Sequence, residues 1–103
     1  MTYIVSVAYP HDTGFDKEYY LEKHMPLVKS IWAPLGLKKY WVLWYTHPQA
    51  PYLVQANLEF PDKETADKAI GSTASAPILD DVQNYSDKPA IFFSGEAIAE
   101  VHC

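Results

Sequence analysis

The spacing of hydrophobic and polar residues changes along the chain, and each block with one spacing predicts a strand or a helix. Residues 2–9 are rich in β-branched and aromatic side chains and are closed by Pro10, which predicts strand 1. Residues 16–33 repeat apolar positions at helical spacing and predict helix 1, which Pro34 and Gly36 terminate.

The second half of the chain continues this alternation. Residues 36–47 and 51–60 predict strands 2 and 3, joined as a hairpin by a proline-rich turn. Asp62 is the expected N-cap of a short helix 2. Residues 89–101 predict strand 4, in which Gly95 is expected to make a bulge or bend.

The order β-α-β-β-α-β predicts an α+β, ferredoxin-like fold in one domain over residues 1–103. Its four-stranded antiparallel sheet carries both helices on one face. Strand 2 is apolar on both sides, which is typical of a strand buried on both sides. Because this small domain has helices for one face only, we expect the other face to pack on a second copy in a homodimer. The two apolar sets of strand 2 are Trp41, Leu43 and Tyr45, and Tyr40, Val42 and Trp44.

Helix 1 places a histidine among its apolar positions and a proline two residues later. At about 100° per residue from Phe15, His24 falls near 180°, in the middle of the apolar stripe, and Pro26 falls near 20° among the polar residues. Water can satisfy the carbonyl that this proline leaves unpaired, so we expect a kink rather than a helix end.

His24 has two interpretations at this position. It is either a core histidine bonded to a backbone carbonyl or to Tyr20, or a general acid/base that lines a pocket between helix 1 and the sheet. Imidazole has an unperturbed pKa of about 6.5, so it can give or take a proton near neutral pH.

Charge and composition exclude several classes of partner. The 103 residues contain 8 Lys plus Arg and 13 Asp plus Glu, a formal net charge of −5, which does not favour nucleic-acid binding. No apolar run approaches the ~20 residues that span a bilayer, so no membrane partner is expected. The single cysteine, Cys103, cannot form an internal disulfide, which fits a cytoplasmic protein. The four histidines lack ligand spacing, so no metal site is predicted.

The motif F-D-x-x-Y-Y-L-x-x-H-x-P-L, residues 15–27, closely resembles the signature of the EthD family. The V-A-Y-P that ends strand 1 and the D-D-V-Q-N-Y of residues 80–85 resemble the same family. The resemblance implies a cytosolic dimeric α+β barrel and matches the motif histidine to His24. It also implies kinship with isomerases, polyketide cyclases, cofactor-free monooxygenases and haem-degrading enzymes, whose pocket commonly lies between helices and sheet. A shared fold does not select one of these reactions.

A pocket in that position would be aromatic and largely apolar, which suits a small, flat, hydrophobic molecule with a few oxygens. His24 is its expected proton-transfer group, and Asp80 or Asp81 is expected to orient it. Tyr20 is a candidate donor to a developing enolate oxygen. The expected substrate-binding residues are Tyr9, Tyr20, Trp41, Tyr45, Val54 and Ala56.

Three functions remain open from the sequence. The first is a cofactor-independent isomerase, cyclase or lyase that moves a proton through His24. The second is a cofactor-free monooxygenase of phenolic or polyketide substrates, which oxygen uptake would distinguish. The third is a binding protein for a hydrophobic metabolite, in which binding occurs without any product.

Overall fold

The computed structural model describes residues 2–103 and confirms the predicted order of elements. No helix in this range is long and apolar enough to cross a membrane. The strands are β1 Tyr3–Pro10, β2 Lys39–Trp44, β3 Tyr52–Phe60 and β4 Ile91–Glu96, and the helices are α1 Lys17–Tyr19, α2 Met25–Trp32, α3 Lys63–Gly71 and α4 Ala76–Asp81.

The four strands form one antiparallel sheet in the order β2-β3-β1-β4, which is the predicted ferredoxin-like α+β fold. Val7 of β1 lies between Ala56 of β3 and Phe92 of β4, which places all three on one face. The expected bulge in strand 4 is wrong, because Gly95 pairs with Ile4 in regular register. The register shift lies instead in the β1–β3 pairing, at the end of β1.

A single π-turn separates α1 from α2. It spans Tyr20–His24, and the amide of Met25 closes it by donating to the Tyr20 carbonyl. Pro26 follows at once and is exposed, as predicted. A helical proline lacks its amide and crowds the carbonyl four residues earlier, and a wider turn just before it relieves that crowding. The helical segment therefore continues past Pro26, as expected, with a π-turn just before the proline.

The extra residue of the π-turn rotates the apolar face of the helix. Met25, Val28 and Trp32 become the buried residues of α2. Leu21 and Leu35 are 46% and 38% exposed. A uniform 100° projection cannot anticipate this shift, because a π-turn advances the chain by a smaller angle per residue.

Trp32 links α2 to α3 and to the turn before α4 through hydrogen bonds. Its indole Nε1 donates to Ser75 Oγ over 2.7 Å, and Ser75 Oγ donates to the carbonyl of Ala69 over 2.7 Å. Trp32 and Ser75 are each 1% exposed, so this polar contact lies fully inside the core. The contact joins α2 to the end of α3 and to the 3₁₀ turn that leads into α4.

The sheet face opposite the helices combines polar groups with exposed apolar side chains. Ser6 Oγ and Gln55 Nε2 both donate to Asn57 Oδ1, over 2.8 and 2.9 Å. Around this buried polar centre lie apolar residues that remain exposed: Trp41, Leu43, Ile91 and Phe93.

Gly36 and Gly71 provide a matched test of backbone strain. Gly36 has φ +116°, and a Cβ there would lie within 2.3 Å of Thr65 Cγ2, whereas a Cβ at Gly71 would meet open space. We expect Gly36→Ala to lower the free energy of unfolding by more than about 1 kcal/mol. Gly71→Ala, near the end of α3, should leave it unchanged or raise it by up to about 1 kcal/mol. Urea denaturation measures both; equal effects would contradict this account.

Candidate functional site

His24 is held by a carboxylate at one ring nitrogen. Its Nδ1 lies 2.9 Å from Asp81 Oδ2. The other carboxylate oxygen, Oδ1, accepts from the Tyr19 hydroxyl over 2.6 Å and from the Asn84 amide over 2.9 Å. Burial works to raise the pKa of Asp81, but these hydrogen bonds together outweigh it and hold the pKa below its usual range. Asp81 is therefore ionised and can only accept, so the His24 proton resides on Nδ1.

The second ring nitrogen of His24 meets a chain of two phenols. Nε2 lies 3.1 Å from the Tyr85 hydroxyl, which lies 2.5 Å from the Tyr9 hydroxyl. In the neutral imidazole Nε2 is an acceptor, so Tyr85 donates to it, and Tyr9 in turn donates to Tyr85. We call the four residues Tyr9, Tyr85, His24 and Asp81 the relay, because their hydrogen bonds run in one direction.

Burial favours the neutral forms of three relay residues, His24, Tyr9 and Tyr85. It lowers the pKa of His24, although the hydrogen bond and charge of Asp81 oppose this effect. Burial also raises the pKa of Tyr9 to about 12 and that of Tyr85 well above its ordinary value. At neutral pH the two phenols are therefore protonated, and they can pass a proton on without holding charge.

The relay is assembled by the contact between residues 15–24 and residues 81–86. Phe15 and Ser86 form a β-bridge, and the Asp16 amide donates to the Tyr85 carbonyl over 2.8 Å. The π-turn then places His24 over this junction, with its ring centroid 4.5 Å from that of Tyr85. The aromatic ring of Phe15 packs against those of Tyr9, Tyr20 and Tyr85.

The structure brings together part of the residue set expected from the sequence. His24 faces neither an open cavity nor a backbone carbonyl, because its two nitrogens bond to Asp81 and Tyr85. Of the two candidate acids, Asp81 is in contact with His24, while Asp80 is exposed. The Tyr20 ring stacks on the imidazole with centroids 5.5 Å apart.

The expected pocket wall divides between two faces of the sheet. Tyr9, Tyr20 and Ala56 line a small cavity of about 20 Å³ between the helices and the sheet. Val54 lies on the same helix-covered face, where it pairs with Trp44.

Trp41 and Tyr45 do not join that wall. Side chains alternate along a strand, and the helix-facing positions of β2 are those opposite Val54 and Ala56. Trp41 pairs instead with Asn57, and the Tyr45 hydroxyl donates to Gln55 over 2.9 Å. Both therefore belong to the face away from the helices.

Sequence reasoning missed three residues of this arrangement: Tyr85, Tyr19 and Asn84. Tyr85 follows Asp81 by four residues, a spacing that can bring both side chains to one side of a helical segment. Tyr19 lies in the helix 1 motif, immediately before Tyr20, and donates to Asp81 from the last position of α1. The D-D-V-Q-N-Y stretch contained the signal for Tyr85, but the predicted site used only its acids.

Over residues 2–103, no group of three or more His, Cys, Asp or Glu side chains is arranged to hold a metal ion.

Similar structures support the family expected from the helix 1 motif. An EthD-like protein from Ralstonia eutropha JMP134 is 27% identical and has a TM-score of 0.80, with 97% of this chain and 95% of that chain covered. At this level of identity the chain is similar to an EthD-like protein in sequence as well as in fold. An EthD family protein from Bacillus halodurans C-125 is 21% identical with a TM-score of 0.76, over 95% of this chain and 100% of that chain.

The EthD-like fold extends to a protein of described activity. SnoaB, a cofactor-independent oxygenase from Streptomyces nogalater, is 12% identical to this chain with a TM-score of 0.68, covering 97% of this chain and 95% of that chain. At that identity the likeness concerns the fold alone. No family model matches this chain, and no curated protein matches it either.

The lowered pKa of His24 makes folding stability depend on pH. The unfolded histidine binds a proton below about 6.5, whereas the buried one resists it, so stability is lost as pH falls from about 6.5 to the lower folded pKa. We expect the free energy of unfolding to fall between pH 7 and pH 5 by up to about 1.4 kcal/mol per pH unit from this group.

His24→Gln should flatten that dependence, and His47→Gln, a change at an exposed position, should preserve it. Chemical denaturation at each pH measures the slopes. Identical slopes in wild type and His24→Gln would contradict a neutral buried His24.

Proposed function

We propose that the chain is a cofactor-independent enzyme that transfers a proton on a small hydrophobic, oxygenated metabolite, as an isomerase, cyclase or lyase does. The observation that carries this proposal is the directed hydrogen-bond chain from Tyr9 through Tyr85 to His24 and Asp81. Buried acid–base groups with shifted pKa values are typical of sites that move protons.

The relay can carry one proton from a substrate to His24. A substrate C–H or O–H acid at Tyr9 gives its proton to the Tyr9 oxygen, while Tyr9 passes its own proton to Tyr85 and Tyr85 passes its proton to His24 Nε2. The substrate is left as the enolate or phenolate, and His24 becomes an imidazolium beside the Asp81 carboxylate. Reversal of the same steps returns the proton to another atom of the substrate.

Asp81 has two roles in this scheme. It fixes the tautomer of His24, so that Nε2 is ready to accept, and its charge stabilises the imidazolium that forms. Tyr19 and Asn84 hold the carboxylate in place. They are positioning residues, because they act through Asp81.

Tyr20 is the candidate donor to the oxygen of the substrate. Its hydroxyl has no hydrogen-bond partner within residues 2–103, whereas those of Tyr9 and Tyr85 are occupied by the relay. The cavity that Tyr9 and Tyr20 line has room for about one water molecule, so a substrate must displace neighbouring side chains to reach Tyr9.

Deuterium incorporation from D₂O into a panel of enolisable aromatic lactones, phenols and diketones tests the proposal. We expect His24→Gln and Tyr85→Phe to reduce exchange by about 10²-fold or more, because each interrupts the relay. Tyr3→Phe is the matched control. It removes another largely buried phenol, which is hydrogen-bonded to Ser94 over 2.6 Å outside the relay, and should keep the wild-type rate. A fully active His24→Gln variant would refute the proposal.

The other two functions are outcomes of the same experiment. Oxygen uptake with an electron-rich phenol, in place of exchange, would indicate a monooxygenase like SnoaB. Tight binding of a panel member without exchange or uptake would indicate a binding protein, a possibility favoured by the saturation of both nitrogens of His24.

We further infer that two copies of the chain pair through the sheet face that carries no helices, to give a dimeric α+β barrel. Supporting this, Trp41, Leu43, Ile91 and Phe93 form an exposed apolar surface around the polar group of Ser6, Gln55 and Asn57. Contiguous apolar surface of this kind is typical of an interface.

Leu43→Glu is expected to convert the dimer to a monomer at micromolar concentration, because it places a charge within that apolar surface. Leu35→Glu is the matched control, since Leu35 is exposed in the 3₁₀ turn after α2 and away from the sheet. Sedimentation velocity measures both variants. A wild-type monomer, or a Leu43→Glu dimer, would exclude this interface.

A further inference from the structure

A second void lies beside the relay, on the far side of Tyr20. It is a groove of about 220 Å³ between the start of the first helical segment and strands β2 and β3. Tyr20 lines both this groove and the 20 Å³ cavity that contains Tyr9. The groove is lined by Lys17, Tyr20, Leu21, Val42, Trp44 and Val54.

The walls of the groove are apolar and partly aromatic. Val42 and Val54 come from adjacent strands on the helix-covered face, and Trp44 pairs with Val54 at the same end. Leu21, a residue of the π-turn, forms the wall opposite these two valines, which are the floor of the groove. Its side chain is 46% exposed, which is unusual for a leucine beside an apolar surface. These surfaces suit a flat ring system that slides between the helix and the sheet edge.

One cation stands at this groove. Lys17 Nζ lies 4.6 Å from the centroid of the Trp44 ring. Lys39, Lys63, Lys68 and Lys88 each make an ion pair with a carboxylate, but Lys17 makes none within the part of the chain that the structure describes. In an acidic protein, a lysine held over an aromatic ring and free of carboxylates is available to an external anion.

One donor stands at its inner wall. Tyr20 is 2% exposed, yet its hydroxyl has no hydrogen-bond partner among residues 2–103. Among residues 2–103 no fully buried side-chain nitrogen or oxygen lacks a partner, so this hydroxyl reaches solvent through the voids that Tyr20 lines. A ligand oxygen can replace water there as its hydrogen-bond partner.

We propose that this groove binds a planar aromatic carboxylate that carries a second oxygen on its ring, as a hydroxyl or carbonyl group. The carboxylate pairs with Lys17 at the mouth, the ring lies against Trp44 and the valine floor, and the second oxygen accepts from Tyr20. Recognition thus requires three features of the ligand together: a flat apolar body, an anion and an oxygen acceptor.

This ligand class would also be the substrate class of the proton-transfer reaction, a role that rests on the proposed function. The Tyr20 and Tyr9 ring centroids are 6.1 Å apart, so a ligand oxygen bound at Tyr20 would lie next to the outer end of the relay. Binding itself needs no turnover, so the groove can be tested independently of catalysis.

Isothermal titration with 6-hydroxy-2-naphthoate, 2-naphthoate and 2-naphthol separates these contributions. The first probe has both oxygens, the second lacks the ring hydroxyl and the third lacks the carboxylate. We expect 6-hydroxy-2-naphthoate to bind tightest. Lys17→Met should weaken its binding by about three- to tenfold and leave 2-naphthol unaffected. Tyr20→Phe should weaken it by a similar factor and leave 2-naphthoate unaffected.

Lys23→Met is the control for net charge, because Lys23 is an exposed lysine of the same helical segment that does not line the groove. It should bind all three probes as the wild type does. Equal affinity for charged and neutral probes, unchanged binding in Lys17→Met, or no binding of any probe would overturn the proposal.

His24→Gln separates the groove from the proposed reaction. This variant should bind 6-hydroxy-2-naphthoate with wild-type affinity, because His24 does not line the groove. If the wild type binds the probe but catalyses no deuterium exchange, the proposed reaction is refuted and the proposed binding site is retained. If deuterium exchange depends on His24 but no probe binds, the proposed binding site is refuted and the proposed reaction is retained.

Discussion

The negative charge of Asp81 determines the direction of every hydrogen bond in the buried aromatic cluster. Because an ionised carboxylate can only accept, the His24 proton must lie on Nδ1, Tyr85 must donate to Nε2, and Tyr9 must donate to Tyr85. Tyr19 and Asn84 keep the carboxylate ionised by donating to its other oxygen. A chain of groups that could otherwise rotate freely is thereby given a single polarity.

That polarity depends on a local distortion of the helix. The π-turn at Tyr20–His24 turns the imidazole towards Asp81 and stacks Tyr20 on it, and the same turn directs Met25, Val28 and Trp32 into the core. Pro26 gives the distortion a covalent cause, since its ring crowds the carbonyl one turn earlier. π-turns occur frequently at functional sites, and here one feature serves both the packing of the helix and the geometry of the relay.

Much of the fold could be predicted from the sequence, because strand alternation, helix periodicity and turn residues all agree with one topology. The Asp62 cap is confirmed, with its carboxylate accepting from the Thr65 amide over 2.8 Å. Trp41 and Tyr45 were assigned to the wrong face of the sheet, because both faces of β2 are apolar and the pattern alone does not orient the strand. The four-residue spacing from Asp81 was a local signal for Tyr85, but its contact with Tyr9, 76 residues away, is encoded by no local pattern.

The separation of the relay residues along the chain has a consequence for folding. Tyr9 lies near the end of β1, and His24 lies at the end of the π-turn. Asp81 ends α4, and Tyr85 follows it by four residues. His24 and Asp81 are therefore 57 residues apart in the chain. Neither half of the β-α-β-β-α-β unit contains the complete hydrogen-bond chain of the relay, and contacts so distant in sequence form only when the two halves dock. A nascent chain, or one that has opened at residues 81–86, therefore lacks the relay. The directed chain of hydrogen bonds exists only in molecules that have completed their tertiary structure.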